Sequence, residues 1–406
     1  MTLARGPILA VLTAWLSVAL PLPAQTPAPA ASGPTVLKNA MTAAYNLDHD
    51  EALALARRAV ALDPDNPKTH RGLAAILWLH ILVNRGAVTM DHYMGSISKS
   101  NVTLPKPDPA VAAEFKQAIS RAAALANARL ETNPRDVQAK YDAGVTYGLQ
   151  ASYTASVEGS VTSAFGPAKR AYSTLDEVLE REPSRVSAGV VVGTYRYVVS
   201  TLNPAMRMFA FVAGMGSGKE KGIALLEAAT RDPESRVDAS AVLMLIYSRE
   251  GRHAEVVRIA HGLGTEFPRN RLFQLEEGAA AIRAGQAGDA NAVLTRGIEA
   301  LKRDTRPRIP SEEAIWHYKR GLARLNLNQQ PAASADLQYA LGAGPSDWIR
   351  GKIQLEIGKL ADLAGRRTDA LAAYRIAARL CGASADPMCE KEANRYLKQG
   401  FSFSGR

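Results

Sequence analysis

Cysteine is nearly absent: Cys381 and Cys389 are the only two in 406 residues. That excludes a cysteine-rich disulfide scaffold and any metal module built on four thiolates. Aromatic residues are also scarce, at 6% of the chain, so a thick aromatic core is not available and helices must meet through small side chains. The alternation of Val, Ile and Thr that marks half-buried strands is missing outside Val190 to Val199 (VVVGTYRYVV). Beyond the first two dozen residues no apolar run approaches the ~20 residues that a membrane-spanning helix requires.

The usual signatures of catalysis are missing too. There is no HExxH and no GxSxG. Of the seven His, His253 and His261 lie too far apart to share an ion, and so do His70 and His80 on either side of Trp78. Met215 to Lys219 (MGSGK) imitates a phosphate loop, but Ala213 stands where that loop needs Gly. Glu220 stands where it needs Ser or Thr, and a carboxylate there repels phosphate. The string reads as a turn between helices. Asp91-His92-Tyr93 sets a carboxylate beside an imidazole, yet neighbours in sequence rarely converge on one point and no nucleophile accompanies them. No catalytic, cofactor or metal residue is assigned, and no enzyme activity is expected. Asn101-Val102-Thr103 fits a glycosylation acceptor.

What is present begins with an export signal. Arg5 precedes an apolar run from Ile8 to Leu22, and Leu22-Pro23-Ala24 ends in a small residue suited to cleavage, with Ala28-Pro29-Ala30 as a second site. The run is short for an anchor, and no Cys near its end could carry a lipid. The mature chain is therefore expected to be exported, periplasmic or secreted, without a transmembrane segment. In such an oxidising compartment Cys381 and Cys389 should pair and staple the last repeat to the following helix, for roughly 2–3 kcal/mol. The net charge is +10; losing Arg5 leaves 48 basic against 39 acidic residues, or +9. Outside the cytoplasm this scattered positive charge suits acidic proteins, anionic lipid headgroups or cell-wall polymers, and no nucleic-acid partner is expected.

The remaining signal is a repeat. From Trp348 the chain reads WIRGKIQLEIGKLADLAGRRTDALAAYRIAARL. Gly358 falls where two helices approach, Gly365 breaks the chain between them, and Ala370, Tyr374 and Ala377 share a face of the second helix. The frame recurs with Gly321, Ala333, Leu337, Ala340 and Pro345. It recurs again with Gly278, Gly285, Ala290 and Leu294, and with Tyr247, Gly251 and Pro268. Unit starts at Val237, Arg271, Ala314 and Gly351 lie near a 34-residue period, with an insertion around Lys302 to Pro310. These residues resemble the tetratricopeptide repeat, with its small residues at the eighth, twentieth and twenty-seventh positions and a turn Gly at the fifteenth.

The N-terminal half is looser. Asp50 to Pro67 has the form of a second helix with a Leu62-Asp63-Pro64 stop. Further stops follow at Glu131 to Pro134, Glu180 to Pro183 and Asp232-Pro233. Asn84 to Pro109 and Gln150 to Gly166 read as insertions, the latter as lengthened helices. Val190 to Val199 has no partner strand and reads as a buried helix. From about Asp136 to Gly288, on the Gly-rich link before Gly222 to Leu226, the chain is similar to eukaryotic tetratricopeptide proteins of the mitochondrial outer membrane, and no function is carried over.

The resemblance implies an all-α, right-handed solenoid of six or seven helix pairs. Residues 1–24 form the signal, 25–35 a disordered Pro/Ala linker, 36–236 degenerate repeats with insertions, 237–384 four repeats and 385–400 a capping helix that starts at Asp386-Pro387. It also implies a concave groove lined by first-helix positions: Arg249, Glu276, Arg283, Tyr318, Lys319, Asn326, Lys352, Glu356 and Lys359. That lining has more cations than anions and one aromatic expected to be exposed, so it suits an acidic extended segment or a terminal carboxylate. The Lys and Asn with which some family members clamp a terminal carboxylate are replaced by Ala241 and Leu245 in the first clear unit. The expected function is an exported scaffold or adaptor that captures a protein or peptide, in envelope assembly or maintenance. The alternatives are a basic envelope component binding anionic lipid or cell-wall polymer, or an accessory subunit of an enzyme complex.

Overall fold

Helix hairpins succeed one another along the chain in the computed structural model, which describes residues 32–87, 89–93, 104–212, 214 and 216–403. The expected signal over 1–24, both cleavage sites, the linker up to Ala31, the Asn101 acceptor, Ala213 and Met215 lie outside the described residues. The first pair is α1 (Gly33–Tyr45) with α2 (His49–Leu62); α3 (Pro67–Asn84) pairs with α5 (Pro109–Thr132), the single turn α4 (Met90–Tyr93) falling between them. α6 (Val137–Ser156) pairs with α7 (Val161–Arg181). α8 (Gly189–Thr201) pairs with α10 (Lys219–Ala229), with the short α9 (Pro204–Val212) in between. Then come α11 (Arg236–Arg249) with α12 (His253–Glu266), α13 (Arg271–Arg283) with α14 (Ala287–Arg303), α15 (Glu312–Asn326) with α16 (Gln330–Gly342), and α17 (Asp347–Leu363) with α18 (Arg367–Ala383). α19 (Pro387–Gln399) packs on the last pair. The described residues thus make eight pairs, one more than the upper expectation, because the β-branched run and α10 supply a full hairpin in the loosest part of the sequence.

Local chemistry sets the boundaries. Asn66 accepts the Lys68 N–H at 3.0 Å ahead of Pro67, and Asp136 accepts that of Ala139 at 2.9 Å. Asp386 accepts that of Cys389 at 3.0 Å, so α19 begins with a capping Asp and Pro at its first position. Ser32 caps α1 in the same way, which corrects the expected linker: Gly33, Pro34 and Thr35 are already helical. Val190 to Val199 lies within α8, with Val192, Tyr197 and Val199 buried. Gln150 to Gly166 is absorbed into the end of α6 and the start of α7. Cys381 and Cys389 are joined in a disulfide, their Cα atoms 5.8 Å apart, and tie α18 to α19.

Pairs close through small residues, as the scarcity of aromatics requires. Ala333, Ala340, Ala370 and Ala377 are fully buried. A Cβ on Gly358 would stand 2.4 Å from Tyr374 Cε1, so only Gly lets α17 and α18 approach this closely.

The array also folds back on itself. Tyr45 Oη donates to Asp238 at 2.8 Å, and Asn270 donates to the Tyr45 carbonyl at 2.7 Å. Asp48 meets Arg269 at 2.7 Å and Arg306 at 3.1 Å, and Lys68 meets Glu234 at 2.8 Å. Leu47 and Val83 enter the same apolar core as Leu272, Leu275 and Ile315. The first two pairs therefore lie against repeats some two hundred residues later.

Candidate protein-binding groove

α11, α13, α15 and α17 are the first helices of four successive pairs, and seven-residue spacing repeats a helical face. Glu276 and Arg283 on α13, Lys319 and Asn326 on α15, and Lys352 and Lys359 on α17 are so spaced. Of this row, Glu276, Arg283 and Lys319 meet α4, which lies within the Asn84 to Pro109 insertion. The Asp91 carboxylate is the centre of the arrangement. Its Oδ1 accepts from Arg283 Nη1 at 3.1 Å, and its Oδ2 bonds the Lys319 ammonium. Main-chain groups of the same turn are held as well: the Met90 N–H donates to Glu276 Oε1 at 2.8 Å, and the Arg249 guanidinium donates to the Tyr93 carbonyl. The Tyr93 hydroxyl turns back to the Ala87 carbonyl at 2.7 Å.

The electrostatics follow from this crowding. Burial alone would push the Asp91 carboxyl up, but Lys319, Lys352 and Arg283 together outweigh it and hold the group well below the usual carboxylate range. Glu276 goes the other way. Burial and the nearby Asp91 charge raise it to about 7 against the pull of Arg283, and its Oε2 is buried without a hydrogen-bond partner among the described residues. Farther along, Lys352 meets Asp386 at 2.6 Å, while Lys359 bridges Glu356 at 3.0 Å and Glu392 at 2.9 Å.

The structure therefore brings Arg249, Glu276, Arg283 and Lys319 together around one segment, with Lys352 contributing its charge. Lys359 and Glu356 form a separate cluster with Glu392. Asn326, at the end of α15, is half-buried and takes part in neither cluster among the described residues. Tyr318 is a correction. It was expected to be an exposed aromatic on the groove wall, but it is 6% exposed, as is Lys319. The reason is that the chain itself covers this face, through α4 and the fold-back of α1 to α3, whose Leu47 and Val83 share an apolar core with Tyr318. Asp91 was weighed in the sequence only for catalysis, and its place among these cations was missed. The available signal was an acid inside an insertion, in a chain whose expected groove is cationic.

Two further clefts open among the described residues. One, of about 510 Å³, is walled by the turns at Glu182, Ser184, Asp232 and Glu234 and by the starts of α3 and α6. Two of the Pro-containing stops that punctuate the sequence, at Pro183 and Pro233, thus flank it. Arg71 and Arg185 stand over the Tyr141 ring, 5.4 and 5.3 Å from its centroid, but Asp142 and Glu182 already neutralise them at 3.1 Å each. The other, of about 480 Å³, lies over α12 to α14, where His261 meets Glu277 at 3.1 Å. Among the described residues no cluster of His, Cys, Asp and Glu could hold a metal ion, and no helix is long and apolar enough to cross a membrane.

No family model and no curated protein matches the chain. Among solved structures, yeast Tom70 is similar at 12% identity over 91% of this chain and 89% of its own, with a TM-score of 0.37. A tetratricopeptide repeat protein from Parabacteroides merdae is 12% identical over 80% of this chain and 98% of its own, TM-score 0.30. The human IFIT1 dimer with m7Gppp-AAAA is 12% identical over 91% and 89%, TM-score 0.40. These scores carry nothing about what this chain binds. The fold is read from the chain's own packing: Gly278 faces Leu294, Gly321 faces Leu337 and Gly358 faces Tyr374, at the same place in three successive pairs. By that repeated contact, the described residues form an all-α array of successive helix hairpins, the architecture that the resemblance to the tetratricopeptide repeat implied.

Proposed function

We propose that this protein is an exported, non-enzymatic scaffold whose concave groove takes an extended acidic segment of another protein, in envelope assembly or maintenance. One observation carries the reading: cations from three successive pairs, Arg283, Lys319 and Lys352, act on a single carboxylate, that of Asp91. Charge-assisted bonds of this kind select a carboxylate from any other side chain of similar size. In this reading the 89–93 segment is the resident occupant. A partner's acidic segment would replace it group for group, meeting Glu276 through a backbone N–H and Arg249 through a carbonyl.

The test uses a fluorescent peptide of residues 86–94 (GAVTMDHYM), titrated by anisotropy into the full chain and into an Asp91→Asn chain whose helicity has been checked by circular dichroism. The peptide should bind the Asp91→Asn chain more tightly than wild type. Its own Asp→Asn version should bind at least about tenfold more weakly, as expected for loss of a bond between two charged groups. Binding that ignores the peptide's carboxylate, or no binding to either chain, would overturn the groove reading.

A further inference from the structure

α9 is unlike the other helices. Its nine residues read PAMRMFAFV, and four of its large apolar side chains face water: Met206, Met208, Phe211 and Val212 are 47%, 65%, 72% and 78% exposed. Ala210 anchors it, buried in the apolar cluster of Tyr172, Leu175 and Val192. Asn203 accepts the Met206 N–H at 2.9 Å and starts the helix; beyond its end Gly214 and Gly218 adopt positive φ. Helix α9 thus projects from the α8–α10 hairpin as an apolar tip. A water-facing cluster of this kind adds nothing to the stability of the fold and marks a surface that meets something else.

The charge around it says what. From Pro183 to Lys219 the chain contains no Asp or Glu; Arg185, Arg196 and Lys219 of that stretch are paired with Glu182, Asp176 and Glu250, which leaves Arg207 as its open cation. Arg207 on α9 itself and Lys221 just beyond are exposed and have no acidic partner among the described residues. At about 1.5 Å per residue the helix is roughly 13 Å long, too short to cross a bilayer and suited to lying in its headgroup layer. A second copy fits less well, because a two-fold contact through this tip would set Arg207 against its own like.

We infer that α9 docks the protein on an anionic lipid surface, with Met206, Met208, Phe211 and Val212 entering the interface and Arg207 and Lys221 meeting phosphate headgroups. This site is separate from the groove and stands or falls independently of it.

The experiment is co-sedimentation of the full chain with vesicles of phosphatidylcholine, alone or mixed with phosphatidylglycerol. Wild type should pellet with the mixed vesicles, bind pure phosphatidylcholine far more weakly, and be released by salt. Phe211→Glu should abolish the binding and Arg207→Gln should weaken it about fivefold. Both variants should keep the wild-type melting temperature, since both side chains already face water. Equal sedimentation of wild type and Phe211→Glu, or no sedimentation with mixed vesicles, overturns the inference. So does a wild-type dimer in light scattering that Phe211→Glu converts to monomer, because the tip would then be a self-interface.

Discussion

Replacing Asp91 by Asn keeps the shape of the side chain and removes its charge, which isolates what the cations around it contribute. In the folded protein the Lys319 and Arg283 side chains are 8% and 21% exposed, so neither can recover full hydration when its anion is lost. Removing one partner of a buried pair typically costs about 3–5 kcal/mol. The partial exposure of Arg283, and the Asp386 partner that Lys352 keeps, reduce the expected loss to about 2–4 kcal/mol. Urea unfolding followed by tryptophan fluorescence reports on this region, because Trp316 is fully buried on the same helix as Lys319. Far-UV circular dichroism should show a smaller shift, since repeat arrays need not unfold as one unit. The second half of the cycle is Lys319→Met. The double variant leaves no orphaned ammonium there, so it should be more stable than the sum of the single losses predicts by at least about 1 kcal/mol. Adding the 86–94 peptide should restore part of the lost stability by mass action. An Asp91→Asn chain within about 0.5 kcal/mol of wild type, with an additive cycle, would refute the reasoning.

Other outcomes follow from the same structure. Burial and Asp91 raise the Glu276 carboxyl from the ordinary 4.5 to about 7, so the stability it contributes is complete below pH 4.5 and lost as pH rises to about 7. Glu276→Gln should flatten the stability profile across that window by roughly 3 kcal/mol, and an unchanged profile would show that the carboxyl titrates normally. Gly358→Ala drives a Cβ to 2.4 Å from the Tyr374 ring and should cost about 1–3 kcal/mol in thermal unfolding. Gly262→Ala, in α12 with nothing within 4 Å, should instead gain up to about 1 kcal/mol; matching signs for the two would contradict the close-approach account. Changing Cys381 and Cys389 to Ala should lower stability by about 2–3 kcal/mol and raise hydrogen exchange in α19 first; protection of α19 equal to wild type would mean that packing alone holds it.

The legible part of the fold was the part written in local spacing. Gly358, Ala370, Tyr374 and Ala377 recur at fixed intervals because each hairpin repeats one contact, and that contact is made by residues close in sequence. The β-branched run at Val190 to Val199 could be placed in a helix because a strand there would lack a partner. The count of pairs came out low because α8 and α10 are separated by α9, an interruption that no repeat pattern describes. Of the candidate groove, Arg283, Lys319 and Lys352 could be named from the first-helix positions that the tetratricopeptide resemblance implies. Their surroundings could not: Tyr318 was placed in solvent, and it is buried.

The sequence by itself determined most of the helices, the cap of the last one, the hairpin pairing of the four C-terminal repeats and the cations on their first helices, since each depends on residues within about one repeat of each other. Only the tertiary structure decided that these cations are covered. Asp91 lies 192 residues from Arg283 and 228 from Lys319, and Tyr45 lies 193 from Asp238. No periodicity connects such positions. They meet because the array curves back until its first pairs press on its later ones, and a buried carboxylate is stable there only among the cations that the repeats had already lined up.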